Sequence, residues 1–228
     1  MKIGILQCGR APEEIVDRHG DYTDMFRNLL GCSTFTYGTW VVLDNVLPGS
    51  VNDADGWLIT GSRHGVYEDH PWIPPLEQFI RDVYASGVPM AGICFGHQIM
   101  AQALGGKAEK FDGGWSVGHV SYDLDDSDGA ASVLAFHQDQ VTELPPEATR
   151  TGSTAFCENA FITYRGAAMS MQPHPEFSDD FMRDLIAARG DILPDHIRQQ
   201  SLDGLGQPLA REKMAAKLRD FFKNNHAS

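Results

Sequence analysis

Long apolar stretches are missing from this chain of 228 residues. The opening MKIGILQCGR holds one lysine and a very short hydrophobic run, too brief for a signal peptide and far too brief for a membrane span. Cysteine is scarce: Cys8, Cys32, Cys94 and Cys157 are irregularly spaced without a CxxC pair, which argues against a disulfide framework. Pairing Cys94 with His97 as zinc ligands also fails, because no second ligand pair is spaced to complete a site; no metal is expected. Basic residues are few, 18 against 31 acidic ones. The resulting net charge of −13 repels phosphate backbones and makes nucleic acid a poor partner. No phosphate-binding GxxxxGK[ST] occurs, and no GxGxxG follows a strand, so ATP-driven chemistry is not expected of the chain alone. Repeats, low-complexity tracts and Pro/Gly/Ser-rich linkers are absent as well. Together these absences predict a soluble, reduced, cytoplasmic protein without membrane association, with residues 1–228 forming one domain.

Apolar residues make up 42% of the chain and charged residues 21%, enough to build a packed core. Lys2 to Cys8 reads as a buried first strand. Asp21 to Leu30 places Tyr22, Met25, Phe26, Leu29 and Leu30 on one helical face, with Gly31 as a stop. TFTYGTWVVL is β-branched and aromatic, a second strand; Gly56 to Thr60 is a third. Pro71 to Ser86 has helical spacing and ends at Gly87. VPMAGIC is a buried strand running directly into the helix FGHQIMAQALGG. This order of elements predicts a doubly wound α/β sheet. From Lys107 to Met171 shorter alternating stretches (HVSYDL, SVLAFHQDQV, AFITYRG, AAMSMQP) predict strands joined by turns, and Phe181 to Arg189 and Arg211 to Phe222 predict closing helices. Asp191 to Leu209 reads as a mobile loop or a partner surface.

The sharpest local signal is GICFGHQ, Gly92 to Gln98, a G-x-C-x-G sequence where a strand meets a helix. So abrupt a reversal predicts a strained backbone at Cys94, with Gly92 and Gly96 making room where a Cβ would collide. The thiol would stand at a helix N-terminus, which favours thiolate, and the Phe95 amide would point at an oxyanion formed there. The plain alternative is a buried core cysteine beside a glycine turn. A thiolate nucleophile wants a base, and QPHPEF, Gln172 to Phe177, offers one. Pro173 and Pro175 forbid a helix and favour an extended backbone, in which His174 and Glu176 share one face. A carboxylate there can hold the imidazole's tautomer and stabilise the imidazolium. Taken alone, the segment also suits a loop with a solvated His and Glu.

GICFGHQ followed by QPHPEF, with His174 lying 80 residues after Cys94, resembles the class I glutamine amidotransferases. The likeness runs from Lys2 to about Phe181. It implies a flavodoxin-like, mostly parallel sheet with flanking helices and a Cys94, His174, Glu176 triad that cleaves the γ-carboxamide of glutamine through a cysteine thioester. The oxyanion would be held by the amides of Phe95 and Gly61. The family has Gly-Gly-Pro where this chain has Thr60-Gly61-Ser62, which leaves that loop's geometry open. Gln98 would line the substrate pocket, or else cap the helix. His137 and Asp139, in FHQDQV, are candidates for the substrate's amino-acid head; Asp139 would meet an α-ammonium, or merely begin a turn. Val66 to Trp72, with Ile73, resembles a branch of lone amidotransferase-like proteins and has no assigned chemistry. Cys8, Cys32 and Cys157 read as packing residues. No cofactor is implied, since thioester chemistry needs none. No ammonia-acceptor domain is expected beyond the closing helix near Ser228, so three readings stand. The chain is a glutaminase acting on glutamine, with or without a separate synthase subunit as partner, or a stand-alone hydrolase of γ-glutamyl peptides or conjugates, or an inactive binding or regulatory module.

Overall fold

The computed structural model describes residues 1–125 and 129–226. The chain opens with β1 (Lys2–Gln7), α1 (Glu13–His19), α2 (Tyr22–Leu30), β2 (Thr36–Val41), β3 (Gly56–Ile59), α3 (Ile73–Ser86), β4 (Met90–Ile93) and α4 (Phe95–Ala103). The middle is rich in strands: β5 (Lys107–Lys110), β6 (Ser116–Leu124), β7 (Ala130–His137), β8 (Asp139–Glu143), β9 (Ala148–Ser153), β10 (Phe161–Tyr164) and β11 (Ala168–Met171). Helices α5 (Asp179–Arg189), α6 (Asp195–Asp203) and α7 (Arg211–Asn225) follow.

One sheet runs β2-β1-β3-β4-β11-β10-β9-β6-β7, and β5 pairs with β8 in a second. From β2 to β11 neighbouring strands are parallel, and beyond β11 they are antiparallel. With β11 in fifth place, the parallel part has the flavodoxin-like order expected of the sequence. β3, β4 and β11 are buried on both faces, which is why β3 and β4 read as unbroken apolar runs. One face of the sheet packs Trp57, Ile59 and Met90 against Leu76, Ile80 and Val83 of α3 and Ile99 and Met100 of α4. The other packs Ile3, Ile5 and Leu58 against Phe26 and Leu30 of α2 and Met214, Leu218 and Phe222 of α7. Each such buried side chain contributes about 1.5–3 kcal/mol.

Helix ends follow the local chemistry. Asp21 caps α2 in a reciprocal capping box with Asp24, and Gly87 ends α3 in the left-handed region. Several departures from the sequence reading have physical causes. TFTYGTWVVL does not form one strand: pairing with β1 stops at Val41, and Val42–Asp44 closes into a 3₁₀ turn. SVLAFHQDQV divides at Gln138, where β7 stays with β6 and β8 leaves to pair with β5. Asp191 to Leu209, expected as a mobile loop or a partner surface, contains the helix α6. After Pro194 the chain winds into α6, whose buried Ser201 reaches the carbonyl of Val117 at 3.1 Å. All four cysteines are free thiols, as their spacing suggested. Cys8 and Cys157 are buried, whereas Cys32 is exposed and does not pack in the core. No helix among the described residues is long and apolar enough to cross a membrane.

Candidate active site

β3, β4 and β11 end on the same edge of the sheet, and the residues that follow each strand converge there. After β4, Cys94 takes φ 54° and ψ −104°, a conformation costing a non-glycine residue about 1–3 kcal/mol. Its amide is tied to the Met171 carbonyl at 2.9 Å and its carbonyl to the Gln98 amide at 3.0 Å, so strand and helix together impose the reversal. Both motif glycines are sterically required. A Cβ at Gly92 would lie 2.4 Å from the Gly96 carbonyl oxygen, and one at Gly96 would lie 2.3 Å from that of Ile59. Cys94 is the N-cap of α4, so the sulfur lies at the positive end of the helix dipole, and Phe95 supplies one of the first-turn amides that have no carbonyl a turn back.

After β11 the chain carries His174 and Glu176. The backbone route differs from the extended form that two flanking prolines suggested. His174 makes a single bridge to Leu134 of β7, and then His174 to Phe177 closes a turn, with the Phe177 amide donating to the His174 carbonyl at 3.3 Å. Pro175 takes the turn position that suits its fixed φ. The two side chains still meet: His174 Nδ1 lies 2.7 Å from Glu176 Oε1, and both are almost fully buried. Phe177 stacks on the imidazole with ring centroids 4.0 Å apart and planes 4° from parallel, while Phe181 and Tyr22 back it. Arg211 of α7 donates to the carbonyls of Pro175 and Glu176 at 3.2 Å each and pins the turn from behind.

Burial pulls the His174 imidazole down, but the Glu176 carboxylate and Cys94, which acts both by charge and as a hydrogen-bond partner, raise it to about 10.

Gly61, after β3, sits between the two. A Cβ there would lie 2.9 Å from His174 Cε1 and 3.7 Å from Cys94 Cβ, so a side chain there fits only by displacing the imidazole. Thr60, where the family has glycine, is fully buried and braces the loop: its hydroxyl donates to the Gly61 carbonyl and accepts from the Cys8 amide, both at 3.0 Å.

Cys94 and His174 open into a cleft of about 190 Å³ that Gln98, His137 and Asp139 also line. Gln98 is committed to protein: its amide nitrogen donates to the Asp139 carbonyl at 2.9 Å and to Gln172 Oε1 at 3.0 Å, bracing the wall. His137 Nδ1 lies 3.1 Å from the Asp139 carbonyl; burial lowers the ring to about 4, so it is neutral at neutral pH. Its Nε2 has no hydrogen-bond partner among the described residues. The Asp139 carboxyl is raised by burial against a hydrogen bond from Tyr67 and the charge of Lys110. Phe95 contributes backbone only, its ring packing on Trp72 at 5.5 Å. His97 bonds Ser170 at 2.8 Å inside the protein, away from the cleft lining, which leaves Cys94 without it as a partner.

Sequence reasoning passed over Phe177, although it lies inside the QPHPEF segment and its aromatic ring was the available signal. Arg211 had none, because it comes from a helix 35 residues beyond Glu176. Arg63, Lys110 and Arg189 also line the cleft from separate segments, together with the acidic Glu68 and Asp139.

The profile of the family described as Glutamine amidotransferase class-I matches residues 39–188. The chain is similar to a glutamine amidotransferase-like protein of Schizosaccharomyces pombe, with 27% identity across 96% of this chain and 97% of that one. It is also similar to gamma-glutamyl peptidase 4 of Arabidopsis thaliana, with 28% identity over 74% of this chain and 72% of the relative. Similarity to the glutamine-hydrolysing GMP synthase of Bordetella parapertussis is 30% over 69% of this chain but only 36% of that longer protein. Among solved structures, a glutamine amidotransferase from Thermotoga maritima superposes with a TM-score of 0.78 at 19% identity, covering 100% of this chain and 99% of that one; at this identity the match speaks for the fold.

Proposed function

The chain belongs to the class I glutamine amidotransferase family, and from that premise we propose that Cys94 is the nucleophile of a thiol hydrolase acting on γ-glutamyl amides, with His174 as its proton carrier and Glu176 as the orienting carboxylate. The observation that carries this reading is the 2.7 Å contact of His174 Nδ1 with Glu176 Oε1 beside a cleft that Cys94 shares with His174.

The steps balance within these residues. The Cys94 sulfur attacks the γ-carbonyl carbon of the substrate, and the thiol proton resides on His174 Nε2. The amides of Phe95 and Gly61 receive the oxyanion. Collapse breaks the C–N bond, and the imidazolium delivers its proton to the departing ammonia or amine. Water then attacks the thioester while His174 takes a proton from it, and glutamate leaves with the thiol restored. Glu176 holds Nδ1 protonated, so Nε2 is the nitrogen that faces the reacting atoms. His137 and Asp139, which line the cleft, are the residues that would meet the amino-acid head of the substrate.

Glutamine is the smallest substrate this chemistry accepts, and a synthase subunit taking up the ammonia would be a natural partner. A second reading is favoured by the cleft itself. Beyond Cys94 and His174 it is lined by Tyr67, Trp115 and Arg189, side chains that a leaving group larger than ammonia would meet. That supports a γ-glutamyl peptide or conjugate as substrate and a protein that works alone. The test is a panel of glutamine, γ-glutamyl dipeptides, glutathione conjugates and γ-glutamyl polyamines, with Cys94→Ala as the blank. Release of ammonia or glutamate that disappears in Cys94→Ala is expected. Turnover undiminished in that variant would overturn the assignment, and absence of turnover with every substrate would favour an inactive module.

A further inference from the structure

The loop between β3 and α3 carries His64, Glu68 and His70, three side chains that the proposed hydrolysis does not use. Glu68 Oε2 lies 3.1 Å from His64 Nδ1 and 2.7 Å from His70 Nε2, and the three ligating atoms all lie within 4.8 Å of one another. A metal ion held by two imidazoles and a carboxylate at about 2.1 Å would set neighbouring donors about 3.4 Å apart, so modest side-chain rotations suffice to seat one.

The cluster is also braced. The other Glu68 oxygen, Oε1, accepts the Gly65 amide at 3.0 Å, which fixes the carboxylate. The His70 ring stacks on Trp72 with planes 13° apart, and Trp72 is buried against Phe95. The two imidazole centroids are 4.2 Å apart. Burial lowers His64 toward the neutral form. Burial raises the Glu68 carboxyl, but the Gly65 amide and the two histidines more than reverse this and hold it below the usual carboxylate range.

We propose that His64 Nδ1, Glu68 Oε2 and His70 Nε2 bind a divalent transition-metal ion of the zinc class at the wall of the active-site cleft. Imidazole and carboxylate together select such an ion over magnesium or calcium, which prefer all-oxygen shells. Three protein ligands leave a coordination position open. His64 and Glu68 both line the cleft that holds Cys94, so the ion would add positive charge to the cleft wall beside the substrate's path.

The test uses the full chain, stripped with a chelator and titrated with Zn²⁺ by calorimetry and with Co²⁺ by visible absorption. The parent, Cys94→Ser, Glu68→Gln and His70→Ala are compared, with circular dichroism confirming that each is folded. Expected is one Zn²⁺ per chain, retained in Cys94→Ser and weakened roughly tenfold or more in Glu68→Gln and His70→Ala. The Co²⁺ form should show ligand-field bands without sulfur-to-metal charge transfer. Loss of binding in Cys94→Ser with retention in His70→Ala would place the ion on the nucleophile and overturn the proposal. Equal binding by all four proteins, or no saturable binding, would overturn it as well.

Discussion

Replacing Glu176 by glutamine separates charge from shape at the imidazole. The amide oxygen can still accept from His174 Nδ1, so the ring keeps its place, but the carboxylate's charge is gone. That contact is 2.7 Å long and almost wholly excluded from solvent, so water cannot compensate. A charge-assisted hydrogen bond of this kind contributes about 1.5–3 kcal/mol. If all of it acts on the charged imidazole of the transition state, kcat/KM falls about 10- to 150-fold. The pH profile should move too. In the parent His174 is raised to about 10, so the imidazolium is lost only as pH climbs through that range. Without Glu176, burial is opposed by Cys94 alone, and the alkaline limb of kcat/KM should shift to lower pH. Stability follows the same sign. The raised value makes the protonated ring a stabilising feature in full below the unfolded imidazole's pKa, about 6.5, and that contribution fades as pH rises toward about 10. The glutamine variant should be less stable than the parent near neutral pH and approach it at alkaline pH. A chromogenic γ-glutamyl anilide measures the rates and chemical denaturation the stability. A variant whose rate and pH profile match the parent's would refute the role given to this carboxylate.

Two glycine substitutions distinguish site from scaffold. Gly61→Ala puts a methyl 2.9 Å from His174 Cε1, an atom that can shift only by moving the base, so kcat should drop about a hundredfold while the thermal unfolding transition stays close to the parent's. Gly96→Ala instead drives a methyl to 2.3 Å from the Ile59 carbonyl, which belongs to the sheet backbone. The expected cost is about 1–3 kcal/mol, or roughly 2–4 °C of melting temperature per kcal/mol, measured by calorimetry.

The sequence disclosed β3 and β4 well, because they are buried on both sides and carry apolar residues throughout, whereas β11 holds the buried Ser170 and read as a shorter alternating stretch. It was less clear where strands end. β7 and β8 are separated by Gln138 alone, and no proline or glycine marks the point where the chain changes sheets. The steric demands at Gly92 and Gly96 were readable from the motif, since a strand-to-helix reversal at Cys94 leaves no space for a Cβ. The meeting of His174 with Glu176 was readable as well, though through the wrong backbone: a proline at the second position of a turn and a proline in an extended segment look alike in one dimension. Contacts assembled from distant segments left no trace. Arg211 on the carbonyls behind Glu176, and Arg63, Lys110 and Arg189 around the cleft, become neighbours only when the sheet and the closing helices pack. The histidines of the loop after β3 were visible, but nothing in their spacing showed that Glu68 would bridge them.

The most direct measurement is the mass of the intact protein, quenched in acid during steady turnover of a γ-glutamyl substrate and then digested to find the modified residue. The account predicts a fraction of the chains heavier by one glutamyl group, carried on Cys94 as a thioester and removed by neutral hydroxylamine. Continued turnover with an unmodified Cys94, or a glutamyl group carried by any other residue, would contradict it.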